Sequence, residues 1–190
     1  RPVPALALKA NAGRFFRPPD FGELFGDRGG TIGNTDLVPE RGWQWDVGLR
    51  WAPEPSELVR ASVDLAHFWN AVEDQIILVQ NGQGTSVPLN FGRTWTQGLE
   101  AALSLDIGGW VDSQSNLTQT VSRNLSTRHD VANNQLPRQP AWEVHQATSV
   151  HWREHIRLGH SYSYTAGNYW DATNWFLAAP RSIHGAFLRV

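Results

Sequence analysis

The pentapeptide HWREH at residues 151–155 carries the side chains that could most readily do chemistry. It has the H-x-x-E-H order of one class of zinc proteases, in which a helical turn brings both imidazoles to one metal ion. Its neighbours on both sides alternate with a period of two, which predicts a strand, a tight turn and a second strand instead of a helix. The other histidines lack ligand spacing, and no nucleophile elbow, P-loop or dinucleotide motif occurs. The sequence therefore predicts no catalytic residue, no metal site and no cofactor.

A second group of candidate residues lies in the segment GNYWDATNWFLAAP at 167–180. The candidates for ligand binding are Tyr169, Trp170, Asp171, Asn174 and Trp175. They combine aromatic area with polar groups, which suits a siderophore, cobalamin, haem or a sugar. The alternative is that these aromatic side chains only anchor the protein at a membrane interface.

The elements that must position these residues are β-strands. In WQWDVGLRW, at 43–51, the large apolar side chains all fall on one face of an extended chain, and the polar ones fall on the other. Similar alternation occurs at 6–13, 95–107, 142–152 and 156–165, and more weakly at 58–70, 114–125 and 182–190. This pattern predicts about eight strands and no helix of a dozen residues.

The connections between these strands alternate in length. The segments 52–57, 108–110 and 153–154 are short, whereas 17–42, 74–92, 126–140 and 167–181 are long and rich in Gly, Asn, Asp and Pro. Short turns at one end and long loops at the other are typical of outer-membrane barrels. We therefore predict an all-β, antiparallel, up-and-down transmembrane β-barrel segment with its long loops outside the cell.

The composition supports lipid as the partner of the apolar face. Trp142 and Trp152 lie ten residues apart on one strand, or about 25 Å along a tilted barrel axis, which matches the spacing of aromatic girdles. The chain has ten tryptophans, a single lysine, no cysteine and a formal net charge of −2. This balance predicts no nucleic-acid surface. No apolar run approaches the roughly 20 residues of a spanning helix.

Residues 11–51 resemble a segment of TonB-dependent outer-membrane receptors, in which a strand ending in R-x-P-x-x-x-E-L-F is followed by G-N-x-x-L-x-P-E and a returning strand. The matching residues, in order, are Arg17, Pro18, Glu23, Leu24, Phe25, Gly33, Asn34, Leu37, Pro39 and Glu40. The strand NFGRTWTQGLE at 90–100 and the entry LPRQP at 136–140 also resemble family motifs.

The resemblance implies a parent receptor with a plug domain inside a 22-stranded barrel, for TonB-dependent uptake of a scarce nutrient such as an iron-siderophore complex, cobalamin or haem. Residues 1–190 are then expected to be about eight strands of that barrel, without the plug and the closing strands. The implied partners are outer-membrane lipid, the TonB complex through the missing plug segment, and an unknown small molecule. The inward-facing Arg50, Arg60, Asp64, Glu100 and Arg157 are expected to form a solvated wall or a plug contact.

The motif residues also have physical roles. Pro18 and Pro39 lack the N–H that a sheet ladder needs, so they end the strands on either side of the first long loop. Gly26, Gly29, Gly30 and Gly33 are expected to permit positive φ in that loop. Arg17 and Glu40 flank the loop symmetrically, and we expect them to form an ion pair. The alternative is that both charges are solvated.

Two other architectures remain open at this point. One is a self-contained eight-stranded barrel that acts as an adhesin or a structural outer-membrane protein. The other is a soluble, carbohydrate-binding β-sandwich, whose inner faces alternate in the same way. If the chain is part of a larger barrel, we expect an open sheet with two unpaired edges.

Overall fold

The computed structural model describes residues 5–27, 29–80, 84–126, 129–152 and 155–190. These residues form eight strands and one short helix. The elements are β1 (Leu6–Arg17), α1 (Phe21–Phe25), β2 (Glu40–Trp51), β3 (Val59–Gln80), β4 (Ser86–Ile107), β5 (Val111–Asn124), β6 (Trp142–Trp152), β7 (Ile156–Ala166) and β8 (Arg181–Arg189). The predicted all-β antiparallel fold is confirmed.

The strands form one meandering sheet in the order β1-β2-β3-β4-β5-β6-β7-β8, and every neighbouring pair is antiparallel. Over the described ranges, β1 pairs only with β2 and β8 only with β7, so the sheet does not close on itself. The expected open sheet is therefore observed, and the self-contained eight-stranded barrel is not.

The apolar face of the sheet is exposed. Trp45 is 39% exposed, Val47 42% and Leu103 41%, and Val144 is half-buried. No second layer covers this face in the described part of the chain, as a β-sandwich would require. The face is continuous across the sheet because the register aligns its members, as in Val47 with His67 and Leu65 with Ala101.

The prediction of a long loop at 74–92 was wrong. Strand β3 continues to Gln80 and β4 begins at Ser86, so the two form a hairpin that projects beyond β2. The Gly, Asn, Asp and Pro residues of this stretch suggested a loop, but cross-strand pairing satisfies the backbone. Pro88 is tolerated because β5 pairs with β4 only from Thr94 onwards, which leaves this part of β4 at an edge.

The buried apolar side chains lie at the long-loop end of the sheet, and they are Leu37, Val72, Ile76, Val131 and Leu136. Two of them, Val72 and Ile76, belong to β3, and the other three belong to the loops after β1 and β5. The conventional core of this chain thus lies between loops and strand ends, where water would otherwise reach the backbone.

Candidate functional site

The first long loop, residues 18–39, begins with a helix of five residues that positions Glu23. The Asp20 carboxylate accepts the Glu23 amide N–H at 2.8 Å, and the Glu23 carboxylate accepts the Asp20 amide N–H at 2.8 Å. This capping box satisfies two N-terminal donors of the helix and fixes the direction of the Glu23 side chain.

Arg17, at the end of β1, binds two carboxylates. Its Nε donates to Glu40 Oε2 at 2.9 Å and its Nη2 to Glu40 Oε1 at 2.7 Å. Its Nη1 donates to both oxygens of Glu23, at 3.1 and 3.0 Å. The expected Arg17–Glu40 ion pair is confirmed, and the sequence had not indicated that Glu23 joins it.

Glu40 also holds the backbone of β3. Its Oε1 accepts the amide N–H of Ile76 at 2.7 Å, just past Glu73, where the pairing of β3 with β2 stops and β3 continues paired with β4 only. The Glu40 side chain is only 10% exposed, whereas that of Arg17 is 40% exposed. A buried carboxylate requires such partners, because burial without them disfavours its charge. We call Arg17, Glu23, Glu40 and the Ile76 amide the strand-end network.

Gly33 and Asn34 fold the first loop back onto its own helix. Gly33 is not among the glycines with positive φ, contrary to the prediction for it and for Gly29, whereas Gly26 and Gly30 are. A Cβ at Gly33 would lie 2.4 Å from the carbonyl carbon of Phe25, so this glycine is needed for close approach. The adjacent Asn34 amide donates to the Glu23 carbonyl at 2.9 Å.

Asn34 and Asn90 fasten the first loop to the projecting hairpin. Asn34 Nδ2 donates to the Pro88 carbonyl at 3.0 Å. Asn90 Oδ1 accepts the Val38 amide and its Nδ2 donates to the Val38 carbonyl, each at 2.9 Å, so the side chain replaces a strand partner. Asn90 Nδ2 also donates to the Asp74 carbonyl at 2.6 Å. The sequence had marked both asparagines as motif residues but had not shown what they contact.

The five candidate ligand residues lie on the loop between β7 and β8, and the structure separates their roles. Asp171 accepts hydrogen bonds from within the loop, namely from the Phe176 amide at 2.8 Å, the Thr173 amide at 3.1 Å and the Thr173 hydroxyl. Burial opposes its ionisation, but these hydrogen bonds outweigh burial and lower the pKa of Asp171 below its ordinary value. Asp171 therefore organises the loop.

Asn174 joins the β7–β8 loop to the β5–β6 loop. Its Oδ1 accepts the Gln135 amide at 2.7 Å and its Nδ2 donates to the Gln135 carbonyl at 2.9 Å. Gln135 Nε2 in turn donates to the Gly167 carbonyl at 2.6 Å. The sequence analysis had missed Gln135, although its place just before the LPRQP motif could have indicated a loop contact.

The aromatic candidates are more accessible than the polar ones. Trp170 is 59% exposed and Trp175 is 83% exposed, whereas Tyr169 is half-buried and its carbonyl accepts the Arg138 amide at 2.8 Å. The structure thus brings the five residues together on one loop, and it presents the two tryptophans outward. Their role in ligand binding stays a prediction.

Charged side chains on the polar face of the sheet bond to charged or polar neighbours. Arg50 Nη1 lies 3.0 Å from Asp64 Oδ2 across the β2–β3 pair, and Arg157 Nη2 donates to Ser149 Oγ at 2.9 Å. His151, from the HWREH segment, lies at the end of β6 with its Nε2 2.7 Å from Asp112 Oδ2. Arg153 and Glu154 of that segment lie outside the described residues. The strand ends on either side agree with the predicted strand–turn–strand.

Three phenylalanines lie flat on this polar face, each opposite a glycine of the next strand. The pairs are Phe15 with Gly42, Phe68 with Gly98 and Phe187 with Gly159. A Cβ on Gly98 would lie 2.6 Å from the Phe68 ring, and one on Gly159 would lie 2.1 Å from the Phe187 ring. At the family motif position 98, the Phe68 ring therefore occupies the space that a side chain of residue 98 would need.

The all-β antiparallel fold agrees with the result of a comparison against known protein families. The family model described as TonB dependent receptor-like, beta-barrel, matches residues 1–187. The chain belongs to this family. TonB-dependent receptors are outer-membrane proteins that act in transport, and the family is not one of enzymes. No curated protein matches the chain significantly.

Solved structures of TonB-dependent receptors share the fold. The siderophore receptor PiuA from Acinetobacter baumannii has a TM-score of 0.72 and 18% identity, over 98% of this chain and 27% of PiuA. The Serratia marcescens hemophore receptor HasR has a TM-score of 0.66 and 20% identity, over 99% of this chain and 32% of HasR. The copper transporter OprC has a TM-score of 0.67 and 19% identity, over 94% of this chain and 28% of OprC. The chain thus spans about a quarter to a third of these TonB-dependent receptors. Among the described residues, no helix has the length and hydropathy to cross a bilayer.

Proposed function

We propose that this chain forms part of the transmembrane wall and the outer loops of a receptor that imports a scarce nutrient across the bacterial outer membrane. The parent protein captures its ligand at the outer loops and uses energy delivered by the TonB complex through a plug domain. Under this proposal the strands cross the membrane several times, with lipid against the apolar face and the polar face towards the barrel interior.

The observation that carries the proposal is the two-faced, single-layered sheet. Its apolar face exposes Trp142 and Trp152, which are predicted for the two girdles, and also Trp43 and Trp51. It also contains an apolar concavity of about 630 Å³, lined by side chains such as Leu8, Leu49 and Leu65. A contiguous apolar surface of this size needs a partner, and acyl chains provide one.

The loop contacts support a rigid binding platform at one end of the barrel. The strand-end network and Asn90 fix the first loop, while Asn174 and Gln135 fix the last two loops to each other. Exposed Trp170 and Trp175 stand on this platform, and rigid aromatic side chains bind ligands at low entropic cost. We propose them as the first contacts for ligand, with Asp171 and Asn174 holding the loop that carries them.

The substrate class remains within the range imported by such receptors. The similar structures include a siderophore receptor, a hemophore receptor and a copper transporter, so the shared fold does not select one cargo. Tryptophan-rich loops favour a flat or aromatic ligand over a bare ion, because a ring binds through stacking. We propose an iron-siderophore complex or haem, with cobalamin as a further candidate.

The test is uptake by cells that carry the full-length gene in a background lacking other receptors. Growth on each iron-siderophore, haem or cobalamin source is expected to require both this gene and TonB. Trp175→Ala is expected to reduce binding of the active source about tenfold, which corresponds to about 1.4 kcal/mol. Trp110→Ala is the matched control, because Trp110 is also exposed but lies in the turn after β4. If growth on all of these sources does not depend on the gene, the proposal is contradicted.

A further inference from the structure

The lipid-facing side of β5 to β8 is interrupted by polar residues. Polar side chains occupy several positions of this face, and Ser115 and Gln119 on β5 are among them. Six others contact one another, and they are Ser113 on β5, Gln146 and Thr148 on β6, His160 and Tyr162 on β7, and His184 on β8. They alternate with inward-facing neighbours and therefore lie on the same face as Trp142 and Val150.

The strand register collects these exceptions into one surface. Ser113 pairs with Thr148, and Thr148 pairs with His160, which gives one row across three strands. Gln146 pairs with Tyr162, and Tyr162 pairs with His184, which gives the adjacent row. We call these six residues the outer polar patch. At about 4.8 Å between strands, it is about 14 Å wide.

The members of the outer polar patch form two groups of contacting side chains. Ser113 Oγ lies 2.9 Å from Thr148 Oγ1, which also accepts from Gln146 Nε2 at 2.7 Å. His160 Nε2 lies 3.2 Å from His184 Nδ1, and the Tyr162 and His184 ring centroids lie 4.8 Å apart with the rings tilted by 42°. These bonds use one ring nitrogen of each histidine. The other nitrogen and the amide oxygen of Gln146 can bond a partner.

The patch lies deep in the bilayer if the proposed function holds, and the inference rests on that placement. His160 follows Ile156, at the short-turn end of β7, by four residues, which is about 10 Å along the barrel axis. Thr148 lies between Trp142 and Trp152, the predicted girdle residues of β6. Lipid headgroups do not reach this depth, and acyl chains offer no hydrogen bonds. The partner that fits is therefore another protein in the membrane.

We propose that a second copy of this protein covers the outer polar patch, in a two-fold symmetric dimer. The patch contains donors and acceptors but no carboxylate, lysine or arginine, so a neutral surface with both kinds of group complements it. A two-fold related copy presents such a surface, because an isologous interface sets the same patch of both copies against each other. Exposed Val150, Leu158 and Leu188 flank the patch and extend the contact with apolar area.

The test uses the full-length protein in lipid nanodiscs and in native membranes. The chain contains no cysteine, so Thr148→Cys introduces a single thiol in the patch. A short bis-maleimide is expected to cross-link Thr148→Cys into dimers. Leu49→Cys, also on the apolar face but on β2, is the control and is expected to cross-link at least tenfold less. The triple variant Gln146→Leu, His160→Leu, His184→Leu is expected to be at least tenfold less dimeric in single-particle mass measurements.

The outcomes separate this inference from the proposed function. Quenching of a fluorophore at position 49 by brominated lipid reports lipid contact without reference to dimers. Lipid contact at 49 with no cross-link at 148, or with equal cross-links at both positions, overturns the dimer alone. Cross-linking of 148 to a different protein overturns the second copy as occupant. Absence of lipid contact at 49 overturns the proposed membrane placement.

Discussion

Arg17 and Glu40 are cross-strand partners at the ends of β1 and β2, and their side chains form two hydrogen bonds of 2.9 and 2.7 Å. The same Glu40 carboxylate accepts the Ile76 amide from β3. One ion pair therefore ties the ends of β1 and β2 to the neighbouring strand β3. It does so where the first loop leaves the sheet, so the loop begins and ends at a fixed point.

Removal of the Glu40 carboxylate is expected to destabilise the strand-end network. Glu40→Ala leaves the Ile76 amide and the Arg17 guanidinium without their acceptor, and we expect a loss of about 2 kcal/mol, moderated by the exposure of Arg17. Glu40→Gln retains an acceptor for Ile76 and is expected to lose less. The measurements are amide exchange at Ile76 and urea unfolding of the full-length protein in vesicles. Unchanged exchange at Ile76 in Glu40→Ala would refute this role.

The control for this prediction is Glu57→Ala. Glu57 is an exposed carboxylate in the short connection between β2 and β3, at the opposite end of the sheet. Glu57→Ala removes the same charge and the same number of atoms as Glu40→Ala. We expect the unfolding free energy of this variant to stay within about 0.5 kcal/mol of the parent.

Asn90→Asp is expected to release the first loop from the hairpin. The substitution keeps the shape of the side chain, but it turns the donor to the Val38 and Asp74 carbonyls into an acceptor, so two attractions become repulsions. The distance between spin labels at positions 36 and 78 is expected to broaden. Asn116→Asp, on the inward face of β5, is the matched change and should leave that distribution as it is. A narrow, unchanged distribution in Asn90→Asp would remove the proposed fastening.

Two glycines opposite phenylalanine are expected to differ in their tolerance of alanine. In Gly98→Ala the new Cβ would lie 2.2 Å from the Gln119 carbonyl oxygen, which is backbone and cannot move aside, so we expect a loss of about 1–3 kcal/mol. In Gly159→Ala the nearest atoms all belong to the Phe187 ring, which is half-exposed. We expect a smaller loss there, restored by Phe187→Ala.

The control for these glycines is Gly13→Ala in β1, because no atom lies within 4 Å of its added Cβ. Urea unfolding of all four variants in vesicles gives the comparison. Equal losses at positions 98 and 159, or a loss at 159 that persists with Phe187→Ala, would contradict the stated cause.

The β7–β8 loop is expected to lose its order in acid. Hydrogen bonds lower the folded-state pKa of Asp171 below 3.8, so the unfolded loop binds a proton more readily. The stabilisation is fully present above about pH 4 and is lost as the pH falls through the folded pKa. A spin label at position 177 should become mobile in that range. In Asp171→Asn the label should be more mobile at neutral pH and insensitive to acid. Equal label mobility in the parent and in Asp171→Asn at neutral pH would contradict the assignment.

Much of the fold follows from local sequence, because a strand must alternate its two faces with a period of two. That pattern placed β6 and β7 within one residue of their observed bounds, and β1 and β2 within four residues of theirs. It failed at 74–92, because Asp, Asn, Gly and Pro resemble loop residues unless a partner strand is known to pair with them. Pairing joins residues distant in sequence, and composition alone does not show it.

The candidate site divides in the same way. Arg17 and Glu40 could be paired from sequence, because one loop brings its own two ends together. Glu23 enters the same network through a capping box. Asn90 lies outside the network and holds the first loop across 52 residues of chain, through hydrogen bonds to Val38. Asn174 was predicted to bind ligand, and that role stays a prediction, but its side-chain hydrogen bonds to Gln135 on another loop could not be predicted. Side chains that act between loops have no local signature.

The sequence by itself determined that the chain is made of amphipathic strands with short turns at one end and long loops at the other, because period and turn chemistry are local properties. The tertiary structure decided which exceptions to the pattern belong together. Register sets His160 beside His184, lays Phe187 over Gly159 and carries the hairpin of β3 and β4 beyond the sheet. These relationships arise from hydrogen bonds between strands, whose partners are fixed only when the whole sheet has formed.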